Sequence, residues 1–146
     1  KAFFVPKLCN QCTHPACVQV CPVGATYRTE DGVVLVDHKY CIGCRYCVMA
    51  CPFGARSFIH EPVSGQKPDV PRGKGTVESC TLCVQGVDRG ERPACVEACN
   101  RDGGGAMAFG DLNDPAAEIH RRLRSEPSTQ VRADLELNTG VRYQGL

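Results

Sequence analysis

The chain has 146 residues, which suits one domain of ordinary size. Its 17 basic and 16 acidic residues give a formal charge of +1, which excludes the concentrated basic surface of a nucleic-acid binder. Apolar residues make up 42 %, but they include 12 cysteines; aromatics are 6 % and tryptophan is absent, so the ordinary hydrophobic core is modest and something else must help hold the fold.

The chain opens at Lys1 with neither an initiator methionine nor a charged-then-apolar leader, so either a leader has been removed or a longer chain is expected. The first cysteine group is CNQCTHPACVQVCP, with Cys9, Cys12, Cys17 and Cys21 followed by Pro22. ATYRTEDGVVLVD then reads as two strands joined at Glu30, Asp31 and Gly32. GVVLVD is the longest apolar run, strand-sized and far short of the roughly 20 residues of a membrane span. The second group, CIGCRYCVMACP, carries Cys41, Cys44, Cys47 and Cys51 before Pro52. ARSFIH is the next strand, and its return is delayed by EPVSGQKPDVPRGKG, an exposed loop that is either a tolerated insertion or a partner contact.

TVESC leads into the third group, CTLCVQGVDRGERPACVEAC, with Cys80, Cys83, Cys95 and Cys99. AMAF at 106–109 reads as a short strand. DPAAEIHRRLRSE reads as a helix capped by Asp114, with Pro115 in its first turn, basic residues in its last and Ile119 and Leu123 on one face. From Pro127 onward the chain looks extended, with apolar and charged residues in near-alternation that cannot bury themselves alone.

The first two groups form an internal repeat: Cys9, Cys12, Cys17 and Cys21 recur as Cys41, Cys44, Cys47 and Cys51, and CPVGA recurs as CPFGA. Two similar halves facing each other across a pseudo-two-fold axis explain this best. A disulfide framework does not predict C-x2-C-x2-C-x3-C-P or its repetition. Zinc favours two separated pairs, which only the third group offers. The run C-x2-C-x2-C-x3-C-P is the bacterial ferredoxin pattern for 4Fe–4S clusters, in which the fourth cysteine ligates the other cluster.

Spacings of two residues let a tight loop turn three thiolates inward and aim backbone N–H groups at cluster sulfurs. Proline then ends the short helix, so the fourth thiolate points away from its own loop, and Gly24 and Gly54 let the backbone turn close by. The expected sets are Cys9, Cys12, Cys17 and Cys51 for one cluster, and Cys41, Cys44, Cys47 and Cys21 for the other. His14 lies between two cluster cysteines, but those sets are complete without it, so it reads as a solvated or hydrogen-bonding residue. Arg45, Arg56, Arg89 and Arg92 lie near the cysteine loops; most read as surface residues, and some as offsetting cluster charge and raising potentials. No nucleophile–base pair, paired carboxylates or nucleotide-binding glycine loop is present, which points to electron transfer and not to an enzyme in its own right.

With the third group included, the chain resembles the four-cluster iron–sulfur subunits of membrane-linked molybdopterin oxidoreductases, such as dimethyl sulfoxide, polysulfide and tetrathionate reductases. GVVLVDHKYCIGCRYCVMACPFGAR, SCTLCVQGVDRGERPACVEAC, AMAFGDLNDP and LNTGVRYQGL carry the likeness. It implies an α+β, tandem bacterial-ferredoxin-like fold with pseudo-two-fold symmetry and an extended C-terminal tail. Residues 1–60 would form a two-cluster domain, 61–112 a long loop and the third cysteine group, and 113–146 a helix and docking tail. The implied partners are a molybdopterin-type catalytic subunit and a polytopic quinone-reactive membrane subunit, with the chain on the periplasmic face of the membrane or, alternatively, in the cytoplasm. The family normally has a further cysteine group ahead of the one that opens here. Cys80, Cys83 and Cys95 would then hold a third cluster whose fourth ligand lies upstream, with Cys99 on a fourth cluster; the alternative is that Cys99 closes the third site. A free polyferredoxin and a zinc-bound interaction module are the competing readings.

Overall fold

A computed structural model describes Pro6, residues 8–66 and residues 72–145. The element order is α1 (Ala16–Gln19), β1 (Thr26–Arg28), β2 (Val34–Val36), α2 (Tyr46–Ala50), β3 (Arg56–Phe58), β4 (Val77–Ser79), α3 (Val84–Val87), α4 (Ala94–Asp102) and α5 (Glu118–Ser125), then a single 3-10 turn at Ala133–Leu135. The class is α+β, as expected. Both halves of the repeat are built alike: a short helix carrying a cysteine, then an antiparallel strand pair. β1 pairs β2 with Tyr27 opposite Leu35, and β3 pairs β4 with Ser57 opposite Glu78. The helices α1 and α2 pack on each other, and β2 lies against β4.

The core explains why so few aromatics suffice. Cys17, Val34, Cys47 and Val77 form its buried centre, with Val18, Cys41, Val48 and Phe58 packed around them. Val34 and Val77 are the largest fully buried side chains. Burying one such valine contributes about 1.5–3 kcal/mol, while ordering each residue's backbone costs about 1–2 kcal/mol.

The hairpin at 26–36 turns where expected, with Gly32 at φ +97° and its N–H donated to the Thr29 carbonyl at 3.0 Å. The middle of the long loop, 67–71, lies outside the described residues. Three local expectations are corrected. Residues 106–109 carry no strand, because no neighbouring strand of the described residues offers a ladder. The helix predicted from Asp114 begins at Glu118. Asp114 instead closes its own turn, accepting the Ala116 N–H on its side chain at 2.8 Å, and Ala117 is extended at φ −61°, ψ 144°, so Asp114 does not cap the helix. Ile119 and Leu123 do share its half-buried face.

The third correction concerns the predicted extended tail. Thr129 and Tyr143 bridge in antiparallel fashion, so residues 130–142 form a closed loop. That loop folds back on the first cysteine loop: Thr13 N–H donates to Asn138 O at 2.9 Å, His14 N–H to Leu137 O at 3.1 Å and Gly140 N–H to Asn10 O at 2.8 Å. Thr139 is buried at its centre, its N–H held by the Gln130 side chain at 3.1 Å. Local hydrogen bonding supplies what the alternating sequence lacks in apolar bulk.

Candidate iron–sulfur centres

Each cysteine group starts with the same backbone device. The residue just before the second cysteine takes a left-handed conformation in all three: Gln11 at φ +46°, Gly43 at φ +68° and Leu82 at φ +57°. This turns successive N–H groups to one side and makes a concave donor surface suited to anions. Only Gly43 is a residue that adopts the conformation freely. It is also required by packing, since a Cβ there would stand 2.1 Å from the Gly75 carbonyl oxygen.

Donors to sulfur follow. Thr26 N–H points at Cys21 Sγ at 3.4 Å, Ala55 N–H at Cys51 Sγ at 3.5 Å, Val77 N–H at Cys41 Sγ at 3.4 Å and Leu82 N–H at Cys80 Sγ at 3.4 Å. After both Cys21 and Cys51 the chain makes one turn, with Gly24 N–H donating to Cys21 O at 3.4 Å and Gly54 N–H to Cys51 O at 3.1 Å. The glycines sit at φ +64° and +56°.

The thiols gather as two interleaved sets. Cys12 has Cys9, Cys17 and Cys51 as its electrostatic neighbours. Burial, and then those neighbours, push Cys12 up to about 11, and burial does the same for Cys9. Cys17 is also raised by burial, against the opposing influence of the Arg56 guanidinium. Cys51 is thus brought to the first loop. In return, Cys21 lines one cavity with Cys41, Cys44 and Cys47, along with Gly43, Thr26 and Val77. At Cys21 burial works upward, but the Thr26, Val23 and Ala25 N–H groups and the Thr26 side chain outweigh it, and the thiol is lowered.

In the third group, Cys80 is an exposed residue whose thiol is nonetheless turned inward enough for burial to raise it, with Cys83 and Cys95 adding to the effect. Cys95 and Cys99 lie one turn apart on α4. The Cys99 thiol faces the Gly103 carbonyl at 3.9 Å. Among the described residues, no group of three or more Cys, His, Asp or Glu side chains converges closely enough to hold a single ion. Four thiolates at about 2.3 Å from one zinc must nearly touch, whereas the outer thiolates of a four-iron cluster stand farther apart.

Gln11 joins the three regions: its side chain accepts the Val34 N–H at 2.7 Å and donates to Cys80 O at 3.0 Å. No sequence signal marks it. Arg56, by sequence only one of several arginines near the loops, is 5 % exposed; its Nη1 donates to Thr26 Oγ1 at 3.2 Å and its Nη2 has no partner among the described residues. His14 sits against the tail loop, in a cleft shared with Gln130, Glu136 and Arg142. Arg45 lies over the Phe58 ring, 5.1 Å from its centre. Arg89 pairs with Glu91, and Arg92 is exposed.

A family described as "4Fe-4S dicluster domain" matches residues 1–112. The chain belongs to this family. It is a small α+β, ferredoxin-like dicluster chain whose cofactors are 4Fe–4S clusters, more than one of them. The residues fit such groups: thiols in two interleaved sets, N–H groups aimed at sulfur, and an unspent buried guanidinium N–H beside them. The dicluster chain is 46 % identical to an Hdr-like menaquinol oxidoreductase iron–sulfur subunit of Archaeoglobus fulgidus, over 100 % of its own length and 58 % of that protein. It is 47 % identical to a tetrathionate reductase subunit of Salmonella typhimurium, over 82 % of its length and 42 % of the relative. With a sulfite dehydrogenase subunit of Allochromatium vinosum it shares 38 % identity, over 86 % and 49 %. The chain spans about half the length of the curated relatives it matches. No helix among its described residues is long and apolar enough to cross a membrane.

Proposed function

We infer that the dicluster chain is an electron-transfer element, not a catalytic subunit, of a multi-subunit oxidoreductase. It relays electrons between a molybdopterin-type catalytic subunit and a quinone-reactive membrane subunit, at the periplasmic face. The observation that supports this reading is the placement of Cys51 beside Cys12 and of Cys21 in the cavity of Cys41, Cys44 and Cys47; an exchange of these two thiols between the loops would hold two one-electron centres side by side in one core. The names of the relatives, an iron–sulfur subunit of a menaquinol oxidoreductase and subunits of a reductase and a dehydrogenase, point the same way.

The proposed ligands are Cys9, Cys12, Cys17 and Cys51 for one cluster, and Cys21, Cys41, Cys44 and Cys47 for the other. Cys80, Cys83 and Cys95 hold a third, whose fourth ligand comes from elsewhere in the full protein, and Cys99 serves a fourth. The electrostatic contact of Cys80 with Cys83 and Cys95, and the turn of Cys99 toward Gly103, support that division. A bound cluster supplies a reversible one-electron couple, tuned by its net charge, hydrogen bonds to sulfur and exposure. The chain's own residues orient the thiols, present N–H donors and exclude water from the buried Cys9, Cys17 and Cys47.

A pseudo-two-fold relation of the halves is part of this reading, supported by the matched helix and strand pairs. So is the division into a two-cluster unit (1–60), a loop with the third group (61–112) and a C-terminal helix and tail (113–146), the tail bracing the first loop and offering its outer face to a partner. The test is Cys51→Ser and Cys21→Ser with electron paramagnetic resonance of each cluster. Cys51→Ser should damage the cluster of Cys9, Cys12 and Cys17, and Cys21→Ser that of Cys41, Cys44 and Cys47. Damage confined to the loop nearest in sequence refutes the exchange.

A further inference from the structure

Building on those two ligand sets, we propose that Arg56 makes the two clusters unequal: its buried guanidinium stands against the Cys9, Cys12, Cys17 and Cys51 set and holds that cluster at a higher reduction potential than its neighbour on Cys21, Cys41, Cys44 and Cys47.

The repeat itself points to the position. In the two copies, CPVGAT and CPFGAR, Thr26 and Arg56 are equivalent, each placed five residues after its crossover cysteine and each starting a strand. They meet, Arg56 Nη1 donating to Thr26 Oγ1 at 3.2 Å. Thr26 lines the cavity of Cys21, Cys41, Cys44 and Cys47. Arg56 acts instead on Cys9 and Cys17 of the other set. Arg45 also lines the cavity of Cys21, Cys41, Cys44 and Cys47, but it is exposed and lies over the Phe58 ring, so water screens its charge. At the matched position one cluster therefore faces a neutral hydroxyl where the other faces a buried, permanent cation, since a guanidinium does not lose its proton in proteins.

The burial of that cation needs an account. Arg56 is 5 % exposed, and among the described residues no carboxylate pairs with it. An unpaired buried charge costs several kcal/mol. The guanidinium acts on Cys17, and its Nη2 is satisfied by no acceptor among the described residues. An anionic cluster on Cys17 supplies both the counter-charge and an acceptor. Reduction adds one electron and no proton need follow, so the cation stabilises the reduced form more than the oxidised one and raises the potential. The low dielectric around a buried pair makes the effect larger than the same charge would produce at the surface.

The experiment is a redox titration of the anaerobically purified full-length protein, with dithionite as reductant and electron paramagnetic resonance as readout. Among the signals of the full-length protein, those of the two interleaved clusters are the ones altered in the Cys51→Ser and Cys21→Ser variants, which assigns them. In the unaltered protein, the cluster assigned to Cys51 should have the higher potential. Arg56→Gln, which keeps a donor and removes the charge, should make that cluster about tenfold harder to reduce, or about 59 mV for one electron, while its neighbour moves by less than half as much. Arg56→Lys, which restores the charge, should recover most of the difference. Equal shifts of both clusters, no shift, or a reversed order in the unaltered protein would overturn the proposal; the last does not depend on any Arg56 variant folding. If the serine variants fail to assign the signals as paired, the ligand sets fail instead, which separates the two readings.

Discussion

The first two cysteine loops and the third share a backbone conformation but not a surrounding. Gln11, Gly43 and Leu82 all take the left-handed position before the second cysteine. Around the first two loops the chain closes: Cys51 lies beside Cys12, Cys21 lines the cavity of Cys41, Cys44 and Cys47, and Cys17 and Cys47 are buried in one cluster with Val34 and Val77. Around the third, Cys80 and Cys95 are exposed, and α4 buries only Val96. A loop shape is set within a few residues, whereas shelter for a cluster needs a second segment to come across. Leu82 sharpens the point. A leucine held at φ +57° is strained by about 1–2 kcal/mol, and such strain persists only where something over-determines it.

The largest effect expected from this difference is on iron content. Stripping iron from the whole chain should abolish its cooperative thermal unfolding, because half the buried centre is cysteine and cluster binding is part of folding free energy. Milder chelation of the chain from Lys1 to Leu146 should remove iron from the third group first and leave the two interleaved clusters. Iron and sulfide counts across a chelator series check this; loss of all sites together would erase the distinction between the regions.

Removing residues 127–146 should come next in size. The first loop loses the hydrogen bonds of Asn10, Thr13 and His14 to the tail, so the cluster of Cys9, Cys12 and Cys17 should become the more oxygen-sensitive of the interleaved pair. Bleaching in air, followed cluster by cluster, is the measurement. Equal bleaching would make the tail a partner-docking element alone.

The smallest effects separate the loops by conformation. Gly43→Ala should cost at least about 1–3 kcal/mol, from its positive φ and the Cβ set against Gly75 O. Leu82→Gly at the matching position should cost nothing or stabilise by up to about 1 kcal/mol, in thermal melts of the cluster-loaded protein. Opposite signs at the two positions are the expected result; similar losses would show that Leu82 packs as tightly as Gly43.

Much of this protein is written locally. The proline after Cys21 and Cys51, the glycines at 24 and 54 and the repeated spacings specify tight loops, short helices and a crossing fourth cysteine, because each depends on φ preferences and reach over a few residues. The strand starting at Thr26 and its turn at Gly32 are legible for the same reason. Reading fails where a residue's role depends on what arrives from far along the chain, or on a nearer competitor for its side chain. Asp114 carries the helix-capping signal but spends its side chain on a nearer turn. The tail has no apolar period, yet Asn10 and Gly140 join through the backbone, which leaves no side-chain signature. Gln11 looks like a surface residue until Val34 and Cys80 are beside it. Arg56 follows the same motif as Thr26, and only the packing of the two halves decides that it is buried next to Cys17. Spacing fixes which thiols can reach a cluster; tertiary structure fixes the charges and donors that stand around it.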